Sequence, residues 1–118
     1  MGLDTYAYHA THNEHLPDHL FEHIPALCQG ICGSQHSGFR GKVYAHVVEE
    51  ITGYSLYAEW LCADQVKQMA ERFHDWLLVP RNYKTYYANT GVSERELRSL
   101  AEWFSVVAEN GGRVHGWW

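Results

Sequence analysis

The sequence predicts an α+β domain, mainly helical, with about four helices and a small β element. Three observations carry this prediction. Apolar residues recur three and four apart between recognisable caps along much of the chain, whereas residues 2 to 9 alternate and are rich in β-formers. The third is size: 118 residues at 46% apolar content supply one hydrophobic core but not comfortably two, so residues 1–118 read as a single domain.

Leu3, Thr5 and Ala7 fall on one side of the opening segment and Asp4, Tyr6 and Tyr8 on the other, the alternation of a short strand. From Pro17 the pattern becomes helical, with Leu16, Leu20, Phe21, Ile24 and Leu27 spaced three and four apart and Pro17 suited to a first helical position. Pro25 interrupts it, which predicts a kink or two short helices meeting near Ile24. The glycine-rich stretch 30–41 reads as loop.

Val43, Val47 and Ile51 then define a helix closed by Gly53. A stronger one runs from about Asp64 as N-cap through Val66, Met69, Ala70, Phe73 and Leu77, stopping before Pro80. The last has a Ser93/Glu96 capping box, an apolar face of Leu97, Leu100, Ala101, Phe104, Val107 and Ala108, and a stop at Asn110-Gly111-Gly112. Between these two helices lies a Tyr-rich segment, 81–91, and the tail RVHGWW reads as a second short strand. A lone strand leaves its backbone groups unpaired, so residues 2–9 should pair with the tail or with residues 82–88.

Charge excludes some functions. Nine Lys and Arg against 14 Asp and Glu give −5, the wrong sign for a general nucleic-acid binder. No stretch reads as a membrane span or a signal peptide, and the three cysteines, an odd number, argue against a disulfide framework. A cytoplasmic protein is expected. Nine histidines are the compositional anomaly, and mild acidification can carry the net charge towards and past zero.

Six of those histidines, His9, His12, His15, His19, His23 and His36, cluster with Cys28 and Cys32. Zinc favours imidazole and thiolate in sets of four, and ligands four apart converge on a helix, which makes His19, His23, Cys28 and Cys32 the candidate metal set. The plainer reading is a solvated polar segment with two buried thiols. A second constellation, Ser37, Gly38, Phe39, Arg40, Gly41 and Lys42, leads into a helix N-terminus. There Ser37, Arg40 and Lys42 are candidates for binding a phosphate or carboxylate, although most such loops only connect. Third, Trp103 and Val106 fall outside the main apolar face of the final helix. Together with Trp117 and Trp118 they suggest a homo-oligomer or protein-partner interface, the alternative being that the rings enlarge a small core.

The segments MGLDTYAY, FRGKVYAHVVEEITGYSLY (Phe39 to Tyr57) and GVSERELRSLAEWF (Gly91 to Phe104) resemble small uncharacterised proteins of bacterial and phage genomes. That resemblance implies a bacterial intracellular protein and carries no activity, cofactor or catalytic residue to transfer. The expected role is therefore a binding or protein-interaction module. The alternative is a zinc protein, hydrolytic in one version, built on the His/Cys cluster.

Overall fold

A computed structural model of the chain describes residues 3–24, 38–79 and 92–117. Strand β1 (Asp4–Tyr8) is followed by a 3-10 turn (Asp18–Leu20), β2 (Gly38–Arg40), α1 (Gly41–Thr52), β3 (Trp60–Leu61), α2 (Ala63–Leu77), α3 (Glu94–Glu109) and β4 (Arg113–Trp117). The strands form one antiparallel sheet in the order β2-β1-β4-β3. The fold is α+β, with three α-helices among the described residues where about four were expected.

The alternation of residues 2–9 does produce a strand, and its partner is the tail: Asp4 pairs with Trp117, Tyr6 with His115 and Tyr8 with Arg113. Residues 81–91, the other proposed partner, lie outside the described residues. Two further strands were not expected. Gly38–Arg40, inside the stretch read as loop, pairs with β1, and Trp60–Leu61 pairs with β4. Gly38 is required by close approach, because a Cβ there would stand 2.5 Å from Tyr6 Cδ1.

The three helices obey their local signals. Gly53 closes α1 at φ 80°, with its N–H donated to Glu49 O at 2.8 Å, the left-handed cap that glycine adopts without Cβ strain. In α3, Ser93 Oγ accepts from Glu96 N–H and Glu96 Oε1 accepts from Ser93 N–H, the reciprocal capping box. For α2 the cap is Cys62 rather than Asp64. β3 delivers the chain directly into the helix, and Gln65 Oε1 accepts the Cys62 N–H at 3.0 Å. Asp64 instead sits in the first turn, where its carboxylate complements the helix dipole.

The helix expected from Pro17 is reduced, within the described residues, to the single 3-10 turn. Leu16 N–H is donated to Ala7 O at 3.0 Å and His15 bridges to Tyr8, so the start of the segment is held against β1 in extended form. Pro25 disfavours helical backbone at Ile24. The apolar residues still serve the core, with Leu16 and Phe21 both buried.

All three helices pack on one face of the sheet, where Leu3, Ala7, Phe39, Leu61 and Val114 meet helical residues in one core. Trp103 is 1% exposed and Val106 is 7% exposed, which corrects their expected place on a surface. The reason is that α3 is covered on more than one side: Trp103 packs edge-on to Phe39 at 4.8 Å and against Phe21 at 5.7 Å, while Phe104 stacks on Phe73 of α2 at 5.6 Å.

Candidate binding face on the sheet

In a strand, residues that do not face the helices face the other way. On β1 these are Asp4, Tyr6 and Tyr8; on β4 they are Arg113, His115 and Trp117; and Trp60, in register with His115, joins them from β3. The outer face of the sheet is thus assembled almost wholly from rings and charged groups.

The rings touch in a continuous series. Tyr8 lies 5.1 Å from Trp60 and 5.6 Å from His115, Trp60 lies 4.4 Å from His115, and His115 lies 6.2 Å from Trp117. His15, held by its bridge to Tyr8, adds contacts of 4.6 Å to Tyr8 and 5.1 Å to Tyr6. The Arg113 guanidinium sits 4.5 Å from the centre of the Trp60 ring, a cation–π contact. It also donates to His9 O and His12 O, both at 3.1 Å, which ties the histidine loop to the sheet. Trp60 is 37% exposed and Trp117 67%, so the series ends in indole surface open to solvent.

Two polar groups on this face lack partners among the described residues. Asp4 is 9% exposed, and its Oδ1 has no hydrogen bond; it lies opposite Trp117 on one side and Arg40 on the other. His115 is half-buried, with Nδ1 also unpaired. Burial holds its imidazole below the ordinary value of 6.5, against the Glu59 carboxylate, which raises it, while nearby His15 lowers it further. At neutral pH this ring is therefore uncharged, and it offers a nitrogen to hydrogen-bond a ligand. Glu59, His115, Gly116 and Trp117 line a shallow pocket of about 270 Å³. A larger open groove of about 460 Å³ runs between α2 and α3, but Ala70 and Ala108 floor it and solvated charges rim it. Its one ring is His74, and it presents no tyrosine, no tryptophan and no unpaired buried polar group among the described residues, so the smaller pocket is the better candidate.

The residues singled out from sequence are dispersed. His19 and His23 are both exposed, and His23 Nε2 pairs with Glu102 Oε1 at 3.1 Å; Cys28 and Cys32 lie outside the described residues. Among the described residues, no three of His, Cys, Asp and Glu gather as a metal-binding set. Arg40 and Lys42 are exposed at the start of α1, but Lys42 N–H is donated to Leu3 O at 3.1 Å, which removes one amide an anion would use; Ser37 lies outside the described residues. Of the aromatic interface set, Trp117 alone is on the surface described, Trp118 being outside it. Of the residues that build the face, Tyr6, Tyr8, Trp60, Arg113 and His115 were not proposed as site residues, and His15 figured only as one of the clustered histidines. Alternation placed Tyr6 with Tyr8, and would have placed His115 with Trp117, but only the β1–β4 register joins the two sets.

No known protein family matches the chain, and no curated protein or solved structure shows significant similarity to it.

Proposed function

We propose that the chain is a binding module, without a reaction of its own, that takes a ring-bearing ligand on the outer face of its sheet. The observation that carries this reading is the continuous series Tyr8, Trp60, His115, Trp117, left uncovered by the three helices and ending in exposed indole. Flat apolar rings beside a few fixed polar groups suit stacking, with Glu59 and the uncharged His115 imidazole supplying orientation through hydrogen bonds. No described helix is long and apolar enough to cross a membrane. The exposed free thiol of Cys62 suits the reducing cytoplasm.

The test follows the indole N–H resonances of Trp60 and Trp117 during titration with oligosaccharides, nucleosides and aromatic amines. Ligand binding on the face moves both signals, and Trp117→Ala abolishes the response. If all three classes leave both signals unmoved, the stacking reading is overturned. A partner chain seated on the same rings is the second reading, favoured by the exposure of Trp117. In that case sedimentation shows a dimer of the full chain that Trp117→Ala returns to monomer.

A further inference from the structure

The histidine-rich loop after β1 supports an inference independent of the ring-stacking face. His9 and His12 bring their Nδ1 atoms to 3.3 Å from each other, with ring centres 4.8 Å apart. Thr11 lies between them: its N–H is donated to His9 Nδ1 at 3.5 Å, and its Oγ1 is 3.0 Å from His12 Nδ1. The first of these contacts makes His9 Nδ1 an acceptor, at the long limit of a hydrogen bond, so an ion bound beside His12 would take over the lone pair that the Thr11 amide now holds weakly. At the solvent edge His12 Nδ1 thus has both the second imidazole nitrogen and a hydroxyl oxygen as close neighbours.

The spacing is one a metal ion would accept as readily as a hydrogen bond. Nitrogens each about 2.05 Å from a tetrahedral ion lie roughly 3.3 Å apart, the separation found here. The loop is also held in place before any ion arrives. The Arg113 guanidinium donates to both His9 O and His12 O and to Asn13 Oδ1 at 3.4 Å, and His9 N–H is donated to Glu14 O at 2.8 Å.

We infer that His9 and His12, with Thr11 between them, form a two-histidine site for a divalent transition-metal ion of the imidazole-preferring class, with water completing the shell. This set is distinct from His19, His23, Cys28 and Cys32. It calls only for two side chains and one loop.

Calorimetric titration of the untagged full chain with Zn²⁺, repeated with Ni²⁺, tests the site. One ion binds per chain, and His9→Ala and His12→Ala each weaken binding by about tenfold or more, a loss already typical of mere outer-shell partners. His19→Ala and His23→Ala leave it unchanged. In the unsubstituted protein, Zn²⁺ shifts the ring resonances of His9 and His12 together, a readout that does not depend on how the variants fold. Absence of saturable binding, or binding that persists in both His9→Ala and His12→Ala, overturns the site. So does loss that follows His19, His23 or the cysteines instead, and so does metal binding that leaves the two rings unmoved. In those cases the pair only shares a proton.

Discussion

The two faces of the sheet come from the same short strands and have opposite characters. Towards the helices the strands present Leu3, Ala7, Phe39, Leu61 and Val114, which disappear into a core closed by Trp103 and Phe104. Away from them they present Asp4, Tyr6, Tyr8, Trp60, His115 and Trp117. An ordinary solvated face would carry Lys, Glu and Thr, which cost nothing to leave in water. Large rings with polar tips have both an apolar surface to bury and a hydrogen bond to direct. The inner face is sealed in the core, and the outer one leaves its rings at the solvent boundary.

Substitutions can break that contrast. The largest effect is expected on the inner side: Trp103→Ala, which empties the contact among Phe21, Phe39 and Phe104, should cost about 3–5 kcal/mol in urea unfolding. A loss under 1 kcal/mol, the range of a surface site, would mean that α3 is not the centre of the core. Next is Gly38→Val. Valine keeps the strand propensity but drives a side chain into the Tyr6 ring, at an expected cost of about 1–3 kcal/mol, and it should displace Tyr6 from His15, visible as lost ring-current shifts.

A smaller effect concerns pH. His115 titrates below 6.5 in the folded chain, so the unfolded chain takes up protons first on acidification. Its contribution is level above about 6.5 and turns against folding as pH falls from there towards the folded value. His115→Gln should flatten that part of the stability profile. Glu59→Gln, which removes the group opposing the shift, should lower the His115 titration further by NMR, and a rise would contradict the assignment of causes. The smallest effect is Trp117→Ala, expected to change unfolding by no more than about 0.5 kcal/mol. A loss resembling that of Trp103→Ala would show that the outer indole is structural, and the two faces would then differ less than their residues suggest.

Much of this fold was legible in the sequence where a signal is local. Caps such as Ser93 with Glu96 and the stop at Gly53 involve residues a few positions apart, and the helices follow them. β1 and β4 each show alternation over five residues. β2 and β3, at three and two residues, are too short to display any period, and both were invisible. Trp103 was placed at the surface because a single amphipathic stripe was assumed, whereas α3 is covered by the sheet, by α2 and by Phe21. The outer face of the sheet, the candidate site, was the least legible part. Tyr6 and His115 meet only through a register between opposite ends of the chain, and no pattern within either segment specifies it.

That same register sets a timetable for folding. The two central strands of the sheet are the first and the last, and Arg113 grips the loop at His9 from 104 positions away. During synthesis β1 and β2 emerge early and can pair with each other, but β4, the neighbour on the other side of β1, follows only after all three described helices. Until it arrives, one edge of β1 stands open and Trp60 lacks its contacts with His115 and Arg113. Helices α1 to α3 can collapse first, since their contacts are closer in sequence, leaving the long-range pairing of β4 between β1 and β3 the slower contact to form. The outer face is complete only when Arg113, His115 and Trp117 are in register beside β1.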